Sequence, residues 1–381
     1  MTIFTYRNLY QAYLTCRANK RATCNALLFE WQFEEKLAQL MRELRSREYR
    51  PGRSLCFVVT TPKPREIFAA DFRDRIVQHL FVRELSPFAE RRFSYDSFAC
   101  RLGKGTHRAV RHLRHHIVRF GFGRRAYFLQ LDIRAFFPSI DKTILASLTE
   151  RYIRESPKHE SWKEEMTWLS RLIIFHDPTE QYTYRGDPAL RQLVPPGKSL
   201  LDQPKGRGLP IGNYTSQFFA NLLLNSLDQY IKREIGCQRY VRYADDLILL
   251  DARKAYLREA RKSIGSFLQN TLDLRLHPKK MILRSLEKGI DFLGYFLKLD
   301  HVLVRQRVVG RMKGVLWGMW QCPSLDVARV VARINSYYGH TRYARGIRLR
   351  QDMFERHLGI WKTKLRPAGE RCVSLAVRRA T

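Results

Sequence analysis

Three aspartates are the residues best suited to chemistry in this sequence. Asp245 and Asp246 are adjacent and interrupt an otherwise apolar stretch, and Asp132 ends another apolar stretch more than a hundred residues earlier. Neighbouring carboxylates repel each other, and a carboxylate that closes a buried strand is costly unless a partner neutralises it. An exposed acidic turn explains Asp245 and Asp246 alone, but it leaves the third acid unexplained. A shared Mg²⁺ site explains all three, because Mg²⁺ binds carboxylate oxygens, waters and substrate phosphates.

The chemistry expected of these acids is nucleotidyl transfer. Two divalent ions about 3.5–4 Å apart can hold both the attacking and the leaving oxygen of an in-line displacement at phosphorus. In phosphoryl transfer a protein contributes chiefly positioning and charge stabilisation, so it needs acids for the metals and cations for the phosphates. We therefore expect two Mg²⁺ ions, for which Mn²⁺ can substitute.

Two basic stretches are candidates for phosphate binding. Lys63 and Arg65 lie in or beside a proline-containing turn, where cations can approach a triphosphate without first being buried. A solvated turn would carry the same charges. Lys104 belongs to a Gly-Lys-Gly-Thr loop before a basic helix, whose N-terminal amides favour anions, but the spacing is not that of an NTPase phosphate loop. Histidines on that helix are also potential metal ligands, although the arginines among them argue against such a site.

The sequence pattern predicts the elements that position these side chains. Two short apolar runs around the paired acids predict a β-hairpin with the acids at its tip, and residues 127–131 predict a buried strand ending in Asp132. A long helix is predicted after the turn that contains Gly212. The first fifty and the last eighty residues are expected to be helical, and 149–207, rich in Pro, Gly and charge, to be a surface insertion.

Composition indicates a nucleic-acid partner. The 381 residues include 69 Lys plus Arg against 36 Asp plus Glu, a formal net charge of +33. A protein this basic repels itself unless a polyanion neutralises it, and phosphate contacts release counterions. Cations interleaved with aromatic residues near the C-terminus suit backbone tracking and base stacking, and a helical bundle with a solvated face is the alternative. The candidate nucleic-acid contacts are Arg101, Lys104, Arg108, Arg111, Arg333, Tyr337, His340, Arg342 and Arg345.

Cysteine use and hydropathy predict the compartment. The seven cysteines are scattered and include no Cys-x-x-Cys pair, which argues against a disulfide framework or a zinc site and favours a reducing cytoplasm. We find no signal peptide and no apolar run of membrane-spanning length. A cytoplasmic protein without a membrane partner is therefore expected.

The order of the motifs resembles that of reverse transcriptases. Within about residues 50–345 the chain has a strand ending in Asp followed by Phe-Phe, a Leu-Pro-x-Gly-x-x-x-Ser turn and helix, Tyr-x-Asp-Asp, His-x-Lys-Lys and Phe-Leu-Gly-Tyr. The resemblance implies an α/β right-hand polymerase of fingers, palm and thumb, with an antiparallel palm sheet and a helical thumb. The implied division is 1–125 for an N-terminal helical region and the fingers, 126–148 for the first part of the palm, 149–207 for an insertion or fingers–palm connection, 208–298 for the second part of the palm, and 299–381 for a basic helical thumb and tail.

The resemblance also implies roles for individual residues. Asp132, Asp245 and Asp246 would hold the two metal ions with help from the Ile133 carbonyl, and Phe137 would be the aromatic gate that excludes a ribose 2′-hydroxyl. The other implied sites are Lys279 or Lys280 as the proton donor to the leaving pyrophosphate, the nucleotide-binding residues Lys63, Arg65, Ile211, Gly212 and Gln217, and the primer grip formed by Phe292, Leu293, Gly294 and Tyr295.

One departure narrows the resemblance. Most reverse transcriptases carry Gln in Leu-Pro-Gln-Gly and Pro after the serine, whereas this chain has Ile211 and Gln217. Isoleucine cannot hydrogen-bond an incoming nucleotide, so selection there rests more on shape. The form IGxxxSQ is similar to that of two bacterial branches, the enzymes of diversity-generating retroelements and the defence-associated reverse transcriptases that act against phage.

The expected partners follow from that branch. They are a dedicated noncoding RNA template, dNTP substrates and a cDNA product, with an accessory protein or a homo-oligomer left open. Defence is preferred to diversification because of the 149–207 segment and the basic tail. A non-catalytic RNA-binding scaffold would be expected to have lost acids, and all three are present. An RNA-dependent RNA polymerase would favour a small or polar gate residue, and this chain has Phe137.

Overall fold

A computed structural model describes residues 2–18, 23–121, 125–322, 324–369 and 374–377. Cys372 lies outside these ranges, and no disulfide joins the six cysteines within them. Among the described residues, no helix is both long enough and apolar enough to cross a bilayer.

The N-terminal third combines helices with a small hairpin. Its elements are α1 (Tyr6–Arg17), α2 (Cys24–Glu30), α3 (Phe33–Arg45), β1 (Ser54–Val59), β2 (Arg65–Ala69), α4 (Phe72–Arg92) and α5 (Thr106–Gly121). Apolar residues three or four apart give α3 one fully buried face, formed by Leu37, Leu40 and Leu44. The Asp71 carboxylate accepts a hydrogen bond from the Arg73 amide at 3.0 Å and thereby caps α4.

The first part of the segment 149–207 is integrated into the fold, whereas residues 185–207 are largely exposed, and whether the segment is an insertion or a fingers–palm connection stays a prediction. The chain here forms β3 (Tyr127–Asp132), α6 (Phe136–Ser139), α7 (Lys142–Arg154), α8 (Glu160–Phe175) and β4 (Tyr182–Tyr184). Met166 and Leu169 of α8 are fully buried in the main core. β4 pairs in parallel with β1, which gives a three-stranded sheet of order β2-β1-β4. Here Pro and Gly mark the turns between packed elements.

A four-stranded antiparallel sheet lies at the centre of the chain. It is completed by α9 (Tyr214–Arg233), β5 (Tyr240–Tyr243), β6 (Asp246–Asp251), α10 (Lys254–Leu272) and β7 (Ile282–Ser285). The strand order is β5-β6-β3-β7. Leu247 and Leu249 pack in the main core with α9 and α10, whereas Ile248 and Leu250 pack in a second core with α5. Because both faces of β6 are buried, its sequence is continuously apolar.

The C-terminal part has its own sheet and helical core. It comprises β8 (Ile290–Phe292), β9 (Tyr295–Leu297), β10 (Val302–Val304), α11 (Gln306–Trp320), α12 (Val327–Thr341), α13 (Ile347–His357), α14 (Trp361–Lys364), β11 (Leu365–Ala368) and β12 (Ser374–Val377). The expectation that the last eighty residues are helical is wrong at their end, where β11 and β12 pair antiparallel. The Asn335 side chain on α12 holds this pair by accepting from the Leu375 amide at 2.7 Å and donating to the Leu375 carbonyl at 3.0 Å.

Candidate active site

The sheet register brings the three predicted aspartates to one end of the central sheet. Asp132 on β3 pairs directly with Asp246 on β6, and paired residues of antiparallel strands have Cα atoms only about 4.5–5.5 Å apart. Asp245 lies in the tight turn before β6, where Ala244 has a left-handed φ of +53°. The Ile133 amide donates to the Asp245 carbonyl at 3.3 Å and holds this turn against the end of β3. We call Asp132, Asp245 and Asp246 the aspartate cluster.

The electrostatics of the aspartate cluster favour a bound cation. Burial raises the pKa of Asp246 to about 7, and the charges of Asp245 and Asp132 add to the rise. Burial followed by the Asp132 charge also raises the pKa of Asp245. The Lys280 ammonium donates to the Asp132 carboxylate at 2.6 Å, so a cation already lies at the cluster. Three carboxylates close enough for their charges to interact fit divalent ions of the oxygen-binding type.

A buried ion pair that sequence reasoning missed supports the turn. Arg242 on β5 makes two hydrogen bonds of 2.7 Å to the Asp228 carboxylate on α9, and both side chains are almost fully buried. The Arg242 guanidinium also donates to the Ala244 carbonyl at 3.2 Å and to Asn221 at 3.2 Å. The sequence signal was a lone acid on an otherwise apolar stretch of α9 together with an arginine two residues before Ala244.

The predicted nucleotide-binding turn packs against β2. The Ile211 carbonyl accepts a hydrogen bond from the Phe68 amide at 2.9 Å. Gly212 has φ +127°, and a Cβ there would lie 2.9 Å from the Phe68 carbonyl oxygen, so this position requires glycine. Gln217 is exposed on the first turn of α9. Phe137 is half-buried, its ring centroid lies 5.2 Å from that of Phe136, and it follows the left-handed Ala135.

The predicted phosphate-binding cations face the aspartate cluster to different degrees. Lys63 and Arg65 are exposed on the β1–β2 hairpin. The Lys63 charge partly offsets the rise in the pKa of Asp246, and the Arg65 charge partly offsets that of Asp245. Of the two candidate leaving-group lysines, Lys280 contacts Asp132 whereas Lys279 is exposed. Lys198, which no motif indicated, also lies within range of the Asp132 charge.

Comparison with known proteins decides the family. The reverse transcriptase (RNA-dependent DNA polymerase) family profile matches residues 60–297, more than half of the chain. The chain belongs to the reverse transcriptase family. It is 23% identical over 318 residues to protein YkfC of Escherichia coli K12, covering 74% of this chain and 75% of YkfC. It is 21% identical over 334 residues to the group II intron-encoded protein LtrA of Lactococcus lactis, covering 76% of this chain but only 55% of LtrA.

Solved structures agree on the fold. Apo telomerase from Candida tropicalis superposes with a TM-score of 0.50 at 9% identity, covering 80% of this chain and 55% of the telomerase chain. This confirms the expected right-hand polymerase fold, with fingers, an antiparallel palm sheet and a thumb. The protein is, by its family, an RNA-directed DNA polymerase. Where each of the five expected segments begins and ends stays a prediction.

The expected primer grip of this reverse transcriptase is a tight hairpin that faces a groove. Phe292 and Tyr295 are paired and buried, while Leu293 and Gly294 form the turn with φ values of +51° and +87°. The Tyr295 hydroxyl donates to the His340 carbonyl at 2.7 Å, which connects the hairpin to α12. Leu293 and Gly294 line an open groove of ≈ 660 Å³ together with Tyr337, His340 and Arg342.

The prediction that Arg101 contacts nucleic acid is wrong. Its side chain is only 5% exposed, pairs with Glu90 at 2.8 Å, and donates to the Ser94 and Ser97 carbonyls at 2.6 and 2.9 Å. Lys104 is also held within its own segment, since its ammonium donates to the Tyr95 carbonyl at 2.7 Å.

The other expected nucleic-acid contacts of the reverse transcriptase are surface cations. Arg111, Arg333 and Arg345 are exposed, as is Arg108, which donates to the Gly103 carbonyl. In the loop before α5, the Gly105 amide donates a hydrogen bond to the Phe98 carbonyl at 2.9 Å. The Gly105 amide is therefore engaged within the protein and is not available to an anion.

The histidines of α5 form a compact group with an acid. One potential ligand atom from each of Asp96, His112 and His116 lies within 4.8 Å of the others. The Asp96 carboxylate is already neutralised by the Lys232 ammonium at 2.8 Å and bonded to the His112 ring at 2.7 Å. These contacts indicate a structural role for the group. They hold Asp96 in place, and the Asp96 carbonyl accepts a hydrogen bond from the Arg242 amide of β5 at 2.8 Å.

Proposed function

We propose that the protein copies RNA into cDNA by two-metal nucleotidyl transfer at the aspartate cluster. The observation that carries this proposal is the direct pairing of Asp132 with Asp246 beside the turn that holds Asp245. The three carboxylates, with the Ile133 carbonyl, would hold two Mg²⁺ ions, or Mn²⁺ in their place. Such ions supply a Lewis acid for the 3′-oxygen nucleophile and for the phosphates.

Side chains around the aspartate cluster perform the remaining steps. Lys63 and Arg65 bind the triphosphate as charged donors on an exposed hairpin. Lys280, held at Asp132, donates a proton to the leaving pyrophosphate. The Phe137 ring excludes nucleotides that carry a 2′-hydroxyl, and the Ile211 turn shapes the base-pair side of the pocket without a hydrogen bond from its side chain.

The template proposed is a dedicated noncoding RNA. The net charge of +33 supports a standing polyanionic partner, and relatives such as LtrA are encoded within an RNA element, a group II intron. The setting proposed is antiphage defence, which the Ile211 and Gln217 motif supports together with the basic C-terminal region.

A diversity-generating retroelement is the second candidate, because the same motif occurs in both branches. Sequencing the nucleic acid that co-purifies from cells separates the two. A structured RNA with its cDNA, and phage protection that Asp245→Ala/Asp246→Ala abolishes, supports defence. A template repeat whose cDNA carries errors at adenines supports diversification.

Incorporation assays test the enzymatic proposal itself. The protein, an RNA template and a DNA primer are incubated with dNTPs or rNTPs, and extension products are resolved by length. Extension is expected with dNTPs but not with rNTPs, only when Mg²⁺ or Mn²⁺ is present, and none is expected from Asp245→Ala/Asp246→Ala. A protein that binds RNA tightly and gives no product from any nucleotide is instead a non-catalytic scaffold. Extension with rNTPs at equal efficiency contradicts the assigned gate.

A further inference from the structure

Lys198 lies in the segment between β4 and α9 that the sequence pattern presented as a loop. Its charge interacts with those of Lys63, Arg65 and Lys280 on one side and with that of Asp132 on the other. These four residues come from three separate parts of the chain, and each belongs to the proposed nucleotide site. Lys198 is therefore near the aspartate cluster although it is 66 residues from Asp132 in sequence.

One end of the Lys198 segment is fixed to the fingers sheet. The Ser199 hydroxyl and the Leu200 amide both donate to the Glu66 carboxylate at 2.8 Å. Glu66 is buried, and it follows Arg65 directly on β2. Because Lys198 precedes Ser199, its backbone is held beside the strand that carries Arg65.

The other end of the segment is fixed to the turn after Asp132. The Gly208 amide donates to the Ile140 carbonyl at 2.8 Å, and the Leu209 amide to the Phe137 carbonyl at 2.9 Å. A Cβ at Gly208 would lie 3.1 Å from the Pro138 carbonyl oxygen, which shows how closely the two segments pack. Residues 199–209 thus connect the fingers sheet with the turn after Asp132, and Lys198 directly precedes the end that is held beside Arg65.

Three of the cations gathered here make no direct ion pair with any residue that the structure describes. Among the described residues, no carboxylate lies within ion-pair distance of Lys63, Arg65 or Lys198, although other lysines of the chain make such pairs. Burial and then the neighbouring Lys280 and Lys63 lower the pKa of Lys198, while Asp132 opposes the change. Like charges held together on fixed backbone cost free energy, and an anion of several charges relieves that cost.

We propose that Lys198 is a further triphosphate-binding residue, which contacts the incoming dNTP beside Lys63 and Arg65 of the β1–β2 hairpin. The inference rests on the proposed polymerase function, because the ligand is the substrate of that reaction. It extends the substrate-binding role of the segment between β4 and α9 beyond Ile211 and Gly212, the residues that the sequence motifs indicated there.

Steady-state kinetics of Lys198→Ala on an RNA template with a DNA primer test the proposal. Loss of one charge-assisted contact should raise the KM for dNTP about 10- to 100-fold, with a smaller change in kcat. Inorganic tripolyphosphate should compete with dNTP on the wild type and inhibit Lys198→Ala more weakly by a similar factor. Lys198→Arg should keep most of the affinity. Lys205→Ala is the matched control, because Lys205 is in the same segment and its side chain is 91% exposed.

The outcomes distinguish this inference from the function on which it rests. An active wild type together with unchanged dNTP KM and tripolyphosphate inhibition in Lys198→Ala overturns the inference and leaves the polymerase function standing. A fall in kcat alone, or a lower melting temperature that Lys198→Arg does not restore, indicates a structural role and also overturns it. A wild type that incorporates no dNTP overturns both.

Discussion

The cations beside the aspartate cluster and those around the loop before α5 differ in their exposure and in the contacts that they make within the protein. Lys63 and Arg65 are exposed, and within the described ranges neither makes an ion pair. The Arg101 guanidinium, in the loop region, pairs with Glu90 and donates hydrogen bonds to two backbone carbonyls. Both regions are equally basic in sequence, so basicity alone does not distinguish a substrate-binding cation from a structural one.

The difference lies in what surrounds each cation. Arginine has five donors in a fixed plane, which suits the several carbonyls that a turn leaves without partners. Arg242 is a second example, since it binds Asp228 and the Ala244 carbonyl below the aspartate cluster. A cation with carbonyls and an acid nearby stabilises the protein, whereas cations on an open hairpin remain available for a ligand. Four substitutions test this distinction, beginning with the largest expected effect.

Replacing Lys280 with alanine tests the cation that contacts Asp132 and is therefore closest to the chemistry. We expect kcat to fall about 10²–10⁴-fold, the usual contribution of a positioned proton donor, with a smaller change in primer–template affinity. Single-turnover dNTP incorporation measures the chemical step. Lys279→Ala is the control, because Lys279 is exposed and should retain nearly full activity. Equal losses in both variants would mean that the pair acts only through its charge.

Replacing Asp228 with asparagine tests a cation that is consumed within the fold. Arg242 would then be a buried charge without its partner, and we expect the free energy of unfolding to fall by about 3–5 kcal/mol. Denaturant titration followed by circular dichroism measures this. The pair Arg253–Asp251 provides the comparison, since the Arg253 side chain is 72% exposed and Arg253→Ala should cost no more than about 1 kcal/mol. A loss below that value for Asp228→Asn contradicts the assigned role of the pair.

Replacing Arg101 with alanine separates stability from binding in the same loop. Several hydrogen bonds are lost, so we expect a destabilisation of about 2 kcal/mol, while the Kd for RNA at fixed salt stays unchanged. Thermal unfolding and filter binding give the two quantities. Arg111→Ala, on the exposed side of α5, should leave stability unaltered. Weakened RNA binding with full stability in Arg101→Ala would restore the assignment made from sequence.

The aspartate cluster could be predicted because each strand and each acid that forms it is recognisable from its neighbours in the sequence. Continuous apolar runs define β3 and β6, and the acids interrupt these runs where each strand meets the turn. Antiparallel pairing of the two strands then brings Asp132 opposite Asp246 without any further information. The hairpin that carries Lys63 and the cap of α4 at Asp71 are local in the same sense.

The parts that were missed depend on distant partners. β4 has only three residues, and it is a strand because it pairs with β1, more than a hundred residues earlier. β11 and β12 are held by Asn335 and by burial of Leu365 and Leu375 in the thumb core. Lys198 carries no motif, and its place follows from the contacts of Ser199 and Gly208. Local propensity cannot contain such information, because tertiary packing decides these positions.

The smallest effect is expected on the thumb, where the comparison is between two exposed arginines. Arg342 lines the groove beside the hairpin of Leu293 and Gly294, whereas Arg258 is exposed on α10, which packs on the opposite face of the central sheet. Arg342→Ala should weaken RNA–DNA duplex binding less than about tenfold and reduce the slope of log Kobs against log[salt] by about one. Arg258→Ala should leave the slope unchanged, and equal reductions would show that net charge, rather than a defined groove, binds the duplex.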